Sequence, residues 1–232
     1  MSTSTPKVTL YTYFRSSCSA RLRIALALKQ IPYESIPINL LKNEQASTRN
    51  TTVNPSATVP TLIIESQSDG NKAPQEPVTI TQSLPALEYL EEAFPERTPL
   101  LPALSDPQLR AKVRTLAAVV AVDVQPVTNL RILQRVAPYG VDRAAWSKDL
   151  VEAGFAAYEA IAATTAGKFS VGDEITLADV CLVPAVWGAE RVGVDLGKYP
   201  TIKRVSEALE GTEAVRKGHW RAQEDTPEQF RF

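Results

Sequence analysis

The chain has 232 residues, of which 44% are hydrophobic and 22% charged, enough for one large globular domain or two small ones. Its formal net charge of -1 creates no global field to recruit nucleic acid or an anionic membrane surface. Two cysteines, Cys18 and Cys181, and one histidine, His219, are too few and too scattered for a disulfide framework or a usual zinc site, so no metal is expected.

No run approaches the ~18 consecutive apolar residues of a membrane span. The polar start, Met1 to Lys7, lacks the apolar core of a signal peptide. A soluble protein in a reducing, cytoplasmic setting is expected.

The first strand is expected at Lys7–Tyr13, where β-branched and aromatic residues alternate in part. Helical spacing of Leu22, Ala25, Leu26 and Lys29 then marks a helix over Ser16–Gln30, with Arg21 and Arg23 read as surface residues. Tyr33–Leu40 reads as a second strand, and Pro37 confines it to a sheet edge or a strand start. A short helix fits Lys42–Asn50, and a third strand fits Thr61–Glu65. A turn-rich loop, Gln67–Pro77, leads to a short fourth strand at Val78–Ile80. Leu84–Phe94 is an amphipathic helix.

This order, β-α-β-α-β-β-α, predicts a parallel pair bridged by a helix, followed by a hairpin and a closing helix: the thioredoxin topology. Pro95, Pro99, Pro102 and Pro107 form a linker, since proline cannot continue a helix interior. Beyond it the pattern is all-helical: a long helix over Gln108–Ala137, then Asp142–Thr165, Leu177–Arg191 and Thr201–Leu209. The expected domains are 1–95 (thioredoxin-like), 96–106 (linker) and 107–232 (helical bundle). Thr176-Leu-Ala-Asp179 has the form of a capping box, and Ile175 and Val180 stand where a hydrophobic staple belongs. The run after it is apolar nearly all round, so that helix is buried and Cys181 is a core residue rather than a reactive thiol.

Three short stretches could carry chemistry. Ser16-Ser17-Cys18 lies where strand one meets helix one, and a helix start favours an anion. Three small hydroxyl or thiol groups there could hold a bound thiolate, or Ser16 could be a plain N-cap. Gln82-Ser83 precedes another helix and could take a carboxylate, or again simply cap. Val59-Pro60 precedes a buried strand, where extended backbone could pair with a peptide ligand.

These stretches, in this order, carry a resemblance to the zeta-class glutathione transferases and maleylacetoacetate isomerases over essentially the whole chain. The matching segments are YFRSSCSARLRIALAL (13–28), NPSATVPTL (54–62), TQSLPALEYLEE (81–92), DVQPVTNLRIL (123–133), GDEITLADVCLVPAVWGAERVGVDL (172–196) and YPTI (199–202).

The resemblance implies glutathione as cofactor and a homodimer. It implies that Ser16, Ser17 and Cys18 form the thiol end of the site, and that Val59 pairs with the cysteinyl unit beside a cis Pro60. Gln82 and Ser83 would hold the γ-glutamyl head, and Gln45 the glycyl end. Gln125 and Asn129 would close over the ligands, and Arg191 would pair with a substrate carboxylate, its planar guanidinium suiting a bidentate partner. Ala20 stands where many relatives carry Trp, a change that could reshape the site's edge.

The reaction implied is cis-trans isomerisation of maleylacetoacetate, a dicarboxylic unsaturated keto acid of tyrosine and phenylalanine breakdown, by reversible thiolate addition. A free thiol titrates at about 8.5, and lowering that by two units needs roughly 2.7 kcal/mol. A helix dipole gives up to ~2 kcal/mol and one charged hydrogen bond from Ser16 or Ser17 ~1.5–3 kcal/mol, so no catalytic histidine is required. Arg15 is a second candidate for holding the dianionic substrate. Three alternatives stand beside this reading: a general transferase for small carboxylate electrophiles such as α-haloacids or maleylpyruvate, a redox enzyme that uses Cys18 as a single thiol, and a non-catalytic binding or dimerisation module.

Overall fold

The structure is a computed structural model that describes residues 6–66 and 76–232. By compactness the chain divides into two units, Met1–Thr98 with Lys217–Phe232, and Pro99–Arg216.

The first unit is built on a four-stranded sheet in the order β2-β1-β3-β4. Strand β1 (Lys7–Thr12) runs parallel to β2 (Glu34–Pro37), with Leu10 opposite Ser35. On its other side β1 is antiparallel to β3 (Thr61–Glu65), with Leu10 opposite Leu62, and β3 is antiparallel to β4 (Val78–Ile80). Pro37 lies on the edge strand β2, where the missing N–H disturbs no ladder. Strand β1 buries Val8, Leu10 and Thr12 on one face and Thr9 on the other.

Helix α1 (Ser17–Leu28) bridges β1 and β2, α2 (Thr48–Val53) follows two short 3-10 turns, and α3 (Ser83–Ala93) closes the unit. The expected element order is therefore present. The long loop expected at 67–77 lies, for 67–75, outside the described residues.

Helix α1 departs from the surface placement expected for two of its residues. Arg21 is 2% exposed and Arg23 1%. Both are buried because their donors have partners inside the fold: Ser83 for Arg21, and Thr12, Tyr13, Phe14 and Gly218 for Arg23. Lys29 is buried at the same helix's end, paired with Glu91 of α3 at 3.0 Å.

The terminal stretch 217–232, expected with the helical part, groups with this unit. Arg23 Nε donates to the Gly218 carbonyl at 3.1 Å. A side chain at Gly218 would meet Ile24 Cγ1 at 2.4 Å and the Ile24 nitrogen at 2.9 Å, so the close approach needs glycine.

The second unit is helical: α4 (Pro107–Ala118), α5 (Leu130–Val136), α6 (Arg143–Ala162), α7 (Leu177–Arg191) and α8 (Pro200–Glu210), with α9 (Glu213–Gly218) beginning in it and ending two residues past its last residue, Arg216. The long helix expected over Gln108–Ala137 is interrupted. A π-helical segment covers Val119–Val124, and the Gln125 N–H bonds Val120 O, five residues back, at 3.0 Å. Pro126 supplies the reason, because it brings no N–H to continue the ladder and crowds the preceding turn.

The capping-box geometry at α7 is built around Asp179. Its carboxylate accepts the Thr176 N–H at 2.8 Å, the Thr176 hydroxyl at 3.0 Å and the Ser170 N–H at 2.8 Å. Cys181 is fully buried within the same helix.

Candidate active site

Ser16 starts α1. Its backbone is extended (φ -74°, ψ 117°), and its Oγ accepts the Ser19 N–H at 3.1 Å. The first intrahelical bond runs from Ala20 N to Ser16 O at 2.9 Å. The plain capping role of Ser16 is thus real. It does not compete with anion binding, because a hydroxyl that accepts through a lone pair still has its own proton to give. The N–H groups of Ser17 and Cys18 stand at the open end of the helix, where the dipole favours negative charge. All three side chains are half-buried.

The turn before Ser16 is held tightly. The Tyr13 carbonyl accepts the Ser16 N–H at 2.9 Å and Arg23 Nη1 at 3.3 Å. Arg23 also donates to Thr12 Oγ1 at 2.9 Å and to the Phe14 carbonyl at 3.0 Å. The Phe14 N–H donates to the Asp225 carboxylate at 2.8 Å. Burial lowers the Arg23 pKa to about 10, with Tyr33 and Asp225 opposing, so the guanidinium is charged at neutral pH.

Tyr13 and Phe14 are buried with Ile38 and Val59, and Trp220 packs against them. Burial raises the Tyr13 phenol pKa, with Arg15 opposing and Asp225 adding, so that hydroxyl stays protonated near neutral pH. Arg15 is exposed, its guanidinium 5.8 Å from the Phe14 ring centre.

Ser83 is the first residue of α3, and Gln82 is the cap position. Gln82 makes no side-chain cap bond and is exposed, so this serine is not the plain cap that its place in the sequence allows. Instead Ser83 Oγ accepts from the buried Arg21 Nη1 at 3.0 Å. Its proton, like that of Ser16, remains available to a ligand. Arg21 Nε is buried with no hydrogen-bond partner, so the cation behind Ser83 is incompletely satisfied. Sequence reading missed Arg21, Arg23 and Asp225, which have partners 62, 195 and 211 positions away, Arg23 bonding in addition to the neighbouring turn. No local signal could have exposed them.

The Val59–Pro60 peptide is cis, and Val59 shares the apolar cluster with Tyr13 and Phe14. That places the cis-proline loop beside the turn that carries Ser16. Gln45 lies in a 3-10 turn, where its Nε2 donates to Asn43 Oδ1 at 2.8 Å and its buried Oε1 has no partner. Ala20 is 1% exposed, so the position where relatives carry Trp faces the interior of the first unit.

Gln125, Asn129 and Arg191 belong to the second unit. Gln125 follows the π-helical segment and is half-buried. Asn129 caps α5, its Oδ1 accepting the Arg131 N–H at 3.1 Å, which leaves its amide NH₂ to serve a ligand. Arg191 is in the last turn of α7 and exposed, with its guanidinium 3.9 Å from where a Cβ on Gly188 would lie. His219 is buried in the terminal stretch, and its Nδ1 accepts the Arg221 N–H at 3.1 Å. Burial lowers its pKa to about 4, with Arg221 and Arg23 adding, so it is neutral at physiological pH.

The first unit therefore offers donors to two anions. The α1 start suits a titrating group such as a thiol. The α3 start, with a cation behind it, suits a permanent carboxylate. A γ-glutamyl-cysteinyl peptide carries both, and the extended backbone at Val59 suits its peptide bonds.

Two family models match the chain: glutathione S-transferase, N-terminal domain, over 15–93, and glutathione S-transferase, C-terminal domain, over 142–213. The chain is similar to the maleylacetoacetate isomerase of Emericella nidulans, 74% identical over 226 residues, spanning 97% of this chain and 96% of that protein. It is also similar to the crystal structure of maleylacetoacetate isomerase from Anaeromyxobacter dehalogenans with GSH in its active site. That match has a TM-score of 0.84 at 37% identity and spans 96% of this chain and 99% of the other. A bacterial zeta-class maleylpyruvate isomerase in its holo form matches with a TM-score of 0.84 at 39% identity, over 94% of this chain and 100% of the other.

Proposed function

Because the chain belongs to the glutathione S-transferase family, we propose that it isomerises maleylacetoacetate to fumarylacetoacetate with glutathione as its cofactor. The observation that carries this reading is Ser16, whose oxygen is engaged within the fold while its proton is left to donate. When bound, glutathione supplies a thiolate that adds to the cis double bond and leaves after rotation about the resulting single bond.

The chain's own residues do the rest. Ser16 donates its hydroxyl proton toward the sulfur, and the Ser17 and Cys18 N–H groups add the field of the helix start. Cys18 is a secondary helper at the same end. Val59 presents its backbone to the cysteinyl unit, with Pro60 holding the loop. Ser83 donates to the γ-glutamyl carboxylate with Arg21 behind it, and Gln82 lies alongside. Gln45 serves the glycyl end, and Gln125 and the Asn129 amide are the further ligand contacts that the family resemblance implies.

Arg191 takes a substrate carboxylate in a bidentate grip. Negative charge that develops on the substrate carbonyl oxygen is met by the fixed donors near Ser16. A cytoplasmic homodimer serving tyrosine and phenylalanine breakdown is part of the same proposal, supported by the family resemblance. No helix among the described residues is long and apolar enough to cross a membrane.

The test is glutathione-dependent conversion of maleylacetoacetate, followed by absorbance, in wild type and Arg191→Ala. Rapid wild-type turnover is expected, with kcat/KM roughly tenfold to a hundredfold lower in the variant, the worth of a charged hydrogen-bonded pair. No wild-type turnover with glutathione still bound would transfer the assignment to another small unsaturated acid, with maleylpyruvate first because of the holo structure matched above.

A further inference from the structure

One carboxylate in the terminal stretch is tied to the turn that carries Ser16, and neither the isomerase reaction nor the glutathione contacts above use it. Phe14 donates its N–H to Asp225 Oδ2 at 2.8 Å. That N–H and the Tyr13 carbonyl are the two ends of a single planar peptide unit, so fixing one orients the other. The Tyr13 carbonyl in turn holds the Ser16 N–H at 2.9 Å, with Arg23 Nη1 as its second donor at 3.3 Å. Asp225 and Arg23 therefore grip opposite ends of the peptide from which Ser16 hangs.

The terminal stretch is itself secured to α1. Arg23 Nε bonds Gly218 O, Gly218 sits against Ile24 with no room for a side chain, and Trp220 packs on the cluster of Tyr13 and Phe14. The Thr226 hydroxyl donates to the Trp220 carbonyl at 2.5 Å, which closes the short loop that presents Asp225. The charged or titratable groups near this carboxylate include Arg23 from α1, Tyr13 from the turn and, through Arg23, Tyr33, with Arg231 donating to the carbonyls of Glu224 and Thr226 on either side of it.

We propose that Asp225 is a positioning residue for thiol activation: by holding the Tyr13–Phe14 peptide it sets where the Ser16 hydroxyl meets the glutathione sulfur. The inference rests on the glutathione reading given above. A turn released at Phe14 N–H can rotate that peptide, and the Tyr13 carbonyl then no longer fixes Ser16. The loss falls on the thiolate and not on the γ-glutamyl contacts, which hang from α3. Asp225 touches no reacting atom, so its effect reads out through the sulfur.

The experiment titrates the ultraviolet absorbance of enzyme-bound glutathione thiolate in wild type, Asp225→Ala and Asp225→Asn, beside isomerase kinetics. Asp225→Ala is expected to raise the apparent thiol pKa by about one unit, with kcat below that pKa falling roughly tenfold. KM for glutathione should stay within about threefold, because the head-group contacts are untouched. Asp225→Asn keeps an acceptor for the Phe14 N–H and should recover most of the wild-type titration.

Hydrogen exchange adds a second measurement on the same variants: faster exchange across residues 13–17, with β3 unchanged, is the expected pattern. Should Asp225→Ala fail to fold, Asp225→Ser, whose hydroxyl is one atom shorter in reach, takes its place. An Asp225→Ala titration that overlays the wild-type curve overturns the proposal and leaves the glutathione reading standing. A shift in which Asp225→Asn is as impaired as Asp225→Ala also overturns it, since an acceptor would then not be what matters. A wild-type enzyme that binds no glutathione removes both readings.

Discussion

Helices α1 and α3 both begin with a serine whose oxygen is occupied from inside the fold, and the occupants differ. Ser16 accepts a neutral backbone N–H from Ser19, whereas Ser83 accepts from the buried guanidinium of Arg21. Each serine keeps a proton to donate outward. The difference matches the two anions they would serve. A γ-glutamyl carboxylate is charged at every working pH, and a fixed cation behind its donor strengthens binding without interfering with chemistry. A thiolate must give up its charge to the substrate and take it back. A cation in direct contact would lower the thiol pKa further and, with it, the nucleophilicity of the sulfur. Neutral donors and a helix start stabilise the anion by a smaller amount, which suits a nucleophile that has to leave again.

Substitution at Ser16 should break the comparison most severely. Ser16→Ala removes the donor to sulfur, and kcat is expected to fall by about a hundredfold, the upper range for one charged hydrogen bond. About 1 kcal/mol of stability should go with the cap. Ser16→Asp separates the two roles, because aspartate caps a helix well but sets a negative charge beside the sulfur. Stability measured by urea unfolding should be near wild type while turnover falls further than in Ser16→Ala.

A smaller effect of a different kind is expected at α3. Ser83→Ala should raise KM for glutathione roughly tenfold and leave kcat at saturation within about threefold. Arg21→Met should act through the same contact, so the double variant should be no worse than the more damaging single one. Additive losses in that double variant would mean that Arg21 does not work through Ser83, and the contrast between the two helix starts would lose its basis.

The smallest effect sharpens the comparison through pH. His219 backs the α1 side of the unit and is held neutral, its pKa lowered to about 4 from an ordinary 6.5. A buried neutral histidine binds fewer protons than the unfolded chain between those values. Its contribution to stability is therefore complete above pH 6.5 and is lost as the pH falls toward 4. Melting temperatures measured across that window should decline in wild type and decline less in His219→Asn. Near pH 7.5 the pH dependence of the two proteins should match.

Much of the fold was legible because its signals are local. Partial alternation marked β1, Pro37 marked an edge strand, clustered prolines marked the linker, and the Thr176–Asp179 box marked the start of α7. The turn at 16–18 was legible as a crowded helix start, although residue types alone could not separate a cap from an anion site. Arg21 and Arg23 were misplaced because a charged residue in a helical pattern normally faces water. What buries them is a set of partners contributed by other elements, which no spacing rule encodes. The break after Ala118 has a local signal in Pro126, which the long helix expected over Gln108–Ala137 passes over. Asn129 offered a capping residue type, yet its role as the α5 cap became apparent only once that break was placed.

The bond between Phe14 and Asp225 joins positions 211 residues apart, and this orders events during synthesis. The helical unit, Pro99–Arg216, is nested within the sequence of the first unit. A ribosome adding ~5–20 residues per second needs at least ten seconds or so to pass from one bonding partner to the other. Throughout that interval the β1–α1 turn lacks its terminal carboxylate, its Gly218 contact and the packing of Trp220. A nascent chain can already contain the sheet and the activating serine, yet its thiol-binding turn is completed only by residues translated some 211 positions after Phe14.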